Sequence, residues 1–270
     1  MLNEIEKQIR YEKCTSLEEV SDLRNQYLDH LIEPQELYLE LMVSSADVYE
    51  IILNKVQIGY FFLDEEGILL EYFIIQQQLH LAEEIFKKII AEFSIHKAFC
   101  KSFDHMLLSC CAGLQIKTSV LGVLFREYNP ILGDARLKEI TVRPATLEDE
   151  GHVIEVNEEV FDYDHEVLEY INKQQLLIFE KEHTSIGFGI FSRVIEGRPD
   201  FDIGMLVEKD FRSQGFGQFI IGYLADFCRK NGCRPIAGCA VENIASRRTL
   251  EKAGFVAGYR LLEFSFQIVP

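Results

Sequence analysis

The stretch Arg212, Ser213, Gln214, Gly215, Phe216, Gly217 constrains the fold of this chain more than any other. Apolar residues lead into it through 201–207 in the manner of a buried strand. An apolar helix pattern begins beyond it near Gln218, with Phe219, Ile220, Tyr223, Leu224 and Phe227 at helical spacing. Glycines at alternate positions let consecutive backbone N–H groups converge on one anion at the positive end of a helix. A strand-to-helix turn of this kind belongs to an α/β chain, and a pyrophosphate suits it. On its own the hexamer fits a tightly packed turn equally well, so the residues downstream decide between the two.

Downstream of the helix, a buried strand is expected over 235–241. Then come Asn243, Ile244, Ala245, Ser246, Arg247, Arg248, Thr249, Leu250, Glu251, Lys252, Ala253, Gly254, Phe255, a short helix closed by Gly254. The two motifs, in this order and at this separation, resemble those of the GCN5-related N-acetyltransferases (GNAT). The resemblance covers residues 138–266. In it, Ile140 to Thr146 with Asp149 stand as the first strand and first helix start, with Thr146 as N-cap. Residues 176–179, 185–191 and 201–207 are the next three strands, and Ile186-Gly187 falls where such proteins often carry an I-G pair.

The resemblance implies a mixed α/β fold: a central, mostly antiparallel sheet with one splayed parallel strand pair, flanked by helices. It also implies acetyl-CoA as co-substrate. The backbone of Met205, Leu206 and Val207 would pair with the pantetheine arm, and the N–H groups of Arg212, Ser213, Gln214, Gly215, Phe216, Gly217 and Gln218 would cradle the pyrophosphate. Arg212 reads also as a plain turn residue. Asn243 is the family's usual side-chain contact to pantetheine, a role compatible with capping the following helix.

Direct acetyl transfer needs the reactants positioned, the amine neutral and a proton for the leaving thiolate. Asp202 sits where the ribosomal-protein and polyamine branches often place a glutamate, and reads either as the base or as an outward strand residue. Glu242 is a second carboxylate, read as solvated. Many family members carry tyrosine just before the Glu-Lys of the second motif, and here that position is Leu250, which has no proton to give. Ser246, one turn earlier on the same helix face, is a candidate donor or pantetheine contact, and Tyr259 is a more distant candidate donor. Water can also protonate the thiolate, since a free thiol has a pKa of about 8.5.

The first half repeats the order of the second. Residues 48–53 read as a strand, Gln57-Ile58-Gly59-Tyr60-Phe61-Phe62 parallels Ser185-Ile186-Gly187-Phe188-Gly189-Ile190, and 69–75 stands where the fourth strand belongs. A helix is expected over 79–93, and Ala112-Gly113-Leu114 echoes Ala253-Gly254-Phe255. The phosphate turn is replaced by Gln76, Gln77, Gln78, Leu79, His80 and Leu81, without a glycine. We therefore expect tandem domains: 1–135, a degenerate GNAT-like domain without the pyrophosphate motif, and 136–270, the acetyl-CoA-binding catalytic domain. Residues 128–134 form the expected linker. An unrelated α/β first domain is the alternative, and a tandem monomer imitating a dimer, or a homodimer, is the assembly the repeat suggests.

Composition sets the partners. A formal charge of -17 disfavours nucleic acid, whose phosphates need a basic surface. No apolar run reaches a membrane span, the first residues lack a signal-peptide pattern, and the 7 cysteines lack metal-ligand spacing, so a cytoplasmic chain with no metal is expected. Between 148 and 169 stand Glu148, Asp149, Glu150, Glu155, Glu158, Glu159, Asp162, Asp164, Glu166 and Glu169, with no Lys or Arg among them. Phe161, Tyr163 and His165 interrupt the run. This suits a cationic small-molecule amine such as a polyamine or an aminoglycoside. Ser246 with Leu250 looks more like the ribosomal-protein branch and suits a protein N-terminus or lysine. A non-catalytic CoA-binding protein is the third reading.

Overall fold

A computed structural model describes residues 9–131, 139–158 and 160–267. The chain forms two compact units, Met1–Gly122 with Tyr259–Pro270, and Val123–Gly258. The expected domain boundary at 135 and the last three residues of the expected linker, Leu132, Gly133 and Asp134, lie outside the described residues, as does Glu159.

In the first unit, β1 (Ile9–Lys13) precedes α1 (Ser21–His30) and α2 (Leu37–Ser45). Then come β2 (Asp47–Leu53), β3 (Val56–Leu63), β4 (Ile68–Ile74), α3 (Ala82–Glu92), β5 (Lys97–Lys101), α4 (His105–Ala112) and β6 (Gln115–Phe125), of which Val123, Leu124 and Phe125 already belong to the second unit. In the second unit β7 (Glu127–Tyr128) and β8 (Ile140–Pro144) precede α5 (Glu150–Val156) and α6 (Asp164–Asn172). They are followed by β9 (Leu176–Lys181), β10 (Thr184–Arg193), β11 (Asp200–Val207), α7 (Phe216–Lys230), β12 (Arg234–Ala240), α8 (Ile244–Ala253) and β13 (Phe255–Val256). The last strand, β14 (Tyr259–Phe266), belongs to the first unit.

The second unit's strands lie in the order β12-β11-β10-β9-β8, antiparallel except for β11 and β12. That parallel pair runs only from Asp200↔Arg234 to Asp202↔Ile236, while both strands continue several residues further. The sheet is therefore splayed, as the resemblance implies. The first unit repeats the plan in the order β1-β2-β3-β4-β5-β14, with β4 and β5 parallel only at Ile68↔Lys97 and Leu69↔Ala98.

Each core follows from residue spacing. In α7, Ile220, Ile221, Leu224, Ala225 and Cys228 are buried, an i, i+4 stripe against Ile203, Ala237 and Leu250. The other side of the sheet packs Ile178, Phe188 and Leu206 under Val153, Val167 and Ile171 of α5 and α6. In the first unit Ile85, Phe86, Ile89 and Ile90 of α3 do for β4 what α7 does for β11. Where a single helix was expected over 79–93, a 3-10 segment, Gln76–Leu81, leads into α3.

One of the sequence echoes holds in the backbone and one does not. Gly59 and Gly187 stand opposite Ile74 and Val207, the last residues of β4 and β11. Gly254 closes α8 with φ 111°, whereas Gly113 ends α4 at φ -77°, a conformation any residue adopts.

Candidate active site

Three features of the second unit converge where β11 and β12 part. The first is the turn into α7. Gly215, its N-cap, has φ 91°, and Ser213 has φ 63°, a left-handed conformation that a residue with a side chain holds only under constraint. Among the described residues, the amides of Ser213, Gln214, Gly215, Phe216, Gly217 and Gln218 meet no acceptor, and Phe219 is the first to bond back, to the Gly215 carbonyl at 3.2 Å. Six amide donors without an acceptor at a helix N-terminus are the kind of feature that suits a polyanion. The two glycines do different work. Space is open where a Cβ on Gly215 would stand, so its left-handed φ is what requires glycine. A Cβ on Gly217 would meet Thr249 Cγ2 at 3.0 Å and Met205 Cε at 3.3 Å, so close packing, rather than backbone conformation, disfavours a side chain at the second.

The second feature is the parted edge of β11. Met205, Leu206 and Val207 lie beyond the last pair with β12. Met205 and Val207 pack on the α7 side, and Leu206 on the α5/α6 side. The third is α8. Asn243 accepts a hydrogen bond from the Ser246 amide at 2.9 Å and so caps the helix, with both residues next to the splay. Leu250 is buried in the core with Ile220 and Leu224, which explains why a hydroxyl is missing there: the side chain packs.

Arg212 has a specific structural task. Its Nε donates to the Val207 carbonyl at 2.9 Å, and its Nη2 donates to Glu158 Oε2 at 2.7 Å. Lys209 Nζ stands 3.4 Å from Glu158 Oε1. These cations hold the Glu158 carboxyl below its ordinary pKa, Arg212 contributing most. The connection between α5 and α6 is thus tied to the turn before α7. A surface cavity of about 750 Å³ borders the turn and runs along α7, lined by Ser213, Gly215, Gln218, Tyr223, Asp226 and Lys230, and so lies to one side of Asp202.

Asp202 is half-buried at the last parallel pair, opposite Ser192 of β10. The structure places beside it two side chains that no sequence motif singles out, Ser192 and Tyr170 of α6. Tyr259 stands in the other unit, where its hydroxyl donates to Glu33 Oε1 at 3.2 Å and its ring lies 5.2 Å from Phe103. The structure therefore gathers Asp202, Met205 to Val207, Arg212 to Gln218, Asn243 and Ser246 in one unit and leaves Tyr259 out of it. Glu242 is exposed.

The acidic run is partly committed internally. Asp149 is held by Arg143 at 2.8 Å, and Glu166 accepts the amides of Asp162 and Tyr163 at 2.8 and 3.0 Å. Glu148, Glu155, Asp162 and Asp164 remain exposed.

In the first unit the corresponding opening is bridged by side chains. Gln35 donates to Glu71 Oε1 of β4 at 2.7 Å and accepts from Lys101 Nζ of β5 at 2.8 Å. Arg24 joins Glu71 to Glu40, Tyr60 donates to Glu71 at 3.1 Å, and Tyr27, which accepts from Lys101 at 2.7 Å, donates to Asp104 at 2.6 Å. Glu71 and Lys101 are fully buried, and each has its hydrogen bonds.

The acetyltransferase (GNAT) domain model matches residues 16–128, and the acetyltransferase (GNAT) family model matches residues 139–255. No curated protein matches the chain in sequence. Among solved structures, the chain is similar to an acetyltransferase of the GNAT family from Colwellia psychrerythraea, with TM-score 0.85 and 19% identity over 96% of this chain and 100% of that one. A tandem GNAT protein from the clavulanic acid biosynthesis pathway aligns at TM-score 0.58 and 10% identity over 97% and 99%. A GCN5-related N-acetyltransferase from Sphaerobacter thermophilus aligns at 0.55 and 11% over 83% and 81%. At these identities the structural likeness establishes the fold.

Proposed function

The chain belongs to the GNAT acetyltransferase family, and from that premise we propose that it moves an acetyl group from acetyl-CoA to the primary amine of a cationic small molecule, in one ternary complex in the second unit. One observation carries the reading: the amides from Ser213 to Gln218 meet no acceptor among the described residues and stand together at the N-terminus of α7, in the unit whose strands β11 and β12 part. Such a set of donors suits the pyrophosphate of CoA, and the parted edge of Met205 to Val207, where the Val207 carbonyl already accepts from Arg212, suits its amide-bearing arm, which would add to the sheet like a short strand. Acetyl-CoA bound there supplies an activated acyl group. The chain's own residues orient it and, at Asp202, accept the proton that frees the amine.

The exposed part of the acidic run, Glu148, Glu155, Asp162 and Asp164, favours a cationic acceptor by long-range attraction. The first unit, its opening spanned by Gln35 and its turn lacking glycine, takes no CoA in this account. The predicted compartment is the cytoplasm. The test is thiol release from acetyl-CoA against a panel of polyamines, aminoglycosides and simple alkylamines. Amine-dependent turnover well above hydrolysis supports the reading, and turnover at the hydrolysis rate with every amine contradicts it. A protein N-terminus or lysine is the second reading, favoured by Leu250 in place of the family's tyrosine. Acetylated peptides recovered from a lysate treated with labelled acetyl-CoA would select it.

A further inference from the structure

The side of the second sheet that faces α5 and α6 is apolar along β10 and β11 except at one corner. Its cross-strand couples are Phe188 with Leu206, Ile190 with Gly204, and Ser192 with Asp202. The first two contribute only carbon and pack with Phe161, Val167 and Ile171. The third is polar and lies at the last pair before β11 and β12 part. Directly opposite residues in a sheet have side chains about 5 Å apart, so the Ser192 hydroxyl and the Asp202 carboxylate are neighbours.

Tyr170 of α6 joins them. Its hydroxyl lies close enough to this corner to feel both groups, Ser192 as a hydrogen-bonding group and Asp202 as a negative charge. Its ring is fixed from the other side: Phe161 stands edge-on at 5.2 Å and itself stacks on Phe188 at 5.8 Å. Burial, more than the nearby carboxylates of Asp202, Glu166 and Glu169, raises the Tyr170 pKa. The phenol therefore stays protonated through neutral pH and acts as a hydrogen-bonding group. Tyrosine needs a polar partner when its body is buried, and any serine on the sheet would satisfy that need. Here the partner is the serine beside the carboxylate at the mouth of the splay.

We propose that Tyr170, Ser192 and Asp202 form the acceptor end of the transferase site, in which Asp202 takes the ammonium proton and Tyr170, fixed through Ser192, is the positioning residue that aligns carboxylate and incoming nitrogen. The inference rests on the acetyl-transfer reading. It specifies the acceptor as a primary ammonium met by one carboxylate and one hydroxyl group. Asp202 removes one proton from the ammonium. The amine then forms the C–N bond to the thioester carbonyl carbon as the C–S bond breaks. A second proton passes from nitrogen to the departing sulfur, and Asp202 returns its proton to water. Ammonium and acetyl thioester thus become amide, thiol and one released proton, with no tyrosine required at the position of Leu250.

The experiment uses the full chain as wild type, Tyr170→Phe, Ser192→Ala and the double variant. Thermal melts check folding, calorimetry with acetyl-CoA checks cofactor binding, and steady-state kinetics use the best amine from the panel. Tyr170→Phe keeps the ring against Phe161 and removes only the hydroxyl. We expect kcat to fall about 10- to 100-fold while acetyl-CoA affinity and the amine KM stay within about threefold. Ser192→Ala should reproduce the loss, and the double variant should be no worse than Tyr170→Phe, because the two groups act as a unit. An active wild type whose single variants keep kcat, or whose losses multiply in the double variant, overturns this assignment alone. A wild type that binds acetyl-CoA and acetylates no amine overturns the transferase reading together with it.

Discussion

Gly59 and Gly187 show at single-residue scale what a repeat preserves when its chemistry diverges. A Cβ on Gly187 would overlap the Leu206 carbonyl oxygen of the neighbouring strand, and one on Gly59 would overlap that of Phe73. Neither backbone can retreat without breaking its sheet, so Gly187→Ala should destabilise the second unit by at least about 3 kcal/mol. A melting temperature within about 2 °C of wild type would contradict this. Leu250 makes the opposite point, since the family's usual residue is absent there because the position is core. Restoring tyrosine, Leu250→Tyr, forces a larger polar group among Ile220 and Leu224 and should cost about 1–3 kcal/mol. Its kcat should not exceed that of wild type, and a faster Leu250→Tyr enzyme would show that a proton donor is wanted there after all.

At the scale of elements, the entry to α5 is set by one carboxylate. Arg143 of β8 donates to both oxygens of Asp149 at 2.8 Å, and the Thr146 amide and hydroxyl donate to Oδ2 at 2.7 and 2.9 Å, closing the expected N-cap as a capping box. Arg143 first, and the Thr146 bonds after it, hold this carboxyl well below the ordinary range. A depressed pKa in the folded state means that the unfolded chain takes up the proton more readily. The contribution is therefore complete above about pH 4 and is lost as the pH falls toward the lower folded value. Partly exposed and screened, the interaction is worth about 1 kcal/mol. Asp149→Asn should be less stable than wild type by about that amount at pH 7, with the two melting curves converging below about pH 3. A difference that persists at low pH would contradict the assignment.

The entry to α5 was legible in the sequence because a cap has a local signature, and the turn before α7 was legible because its glycines do. The partner of β14 was not. Its apolar residues mark it as a strand, but Leu261, Phe264 and Phe266 say nothing about which sheet they complete. Glu71 and Lys101 hid for a related reason, since isolated charges read as surface until Gln35, Arg24 and Tyr27 are seen to satisfy them. Tyr170, one aromatic in an acidic helix, carries no signal until the fold brings Ser192 beside it.

For the whole molecule, the final strand and the single cradle have separable consequences. β14 pairs β5 from Leu261↔Lys101 to Ser265↔Lys97, and buries Phe264 and Phe266 in the core of the first unit. Each large apolar side chain removed from water contributes about 1.5–3 kcal/mol, so these two, with the strand's ladder of hydrogen bonds, rival the low end of the roughly 5–15 kcal/mol by which a domain is typically stable. Ending the chain at Gly258 should therefore abolish amide-exchange protection across β2 to β5, and retained protection there would contradict this. The central claim is that a single acetyl-CoA site exists, in the second unit, and that Gly215 is part of it. The most direct test is calorimetric titration of acetyl-CoA into wild type and Gly215→Glu, the variant first shown to fold. The account predicts one equivalent bound to wild type and none to the variant, whose carboxylate would enter the amide cradle. Two equivalents, or binding that survives Gly215→Glu, would contradict it.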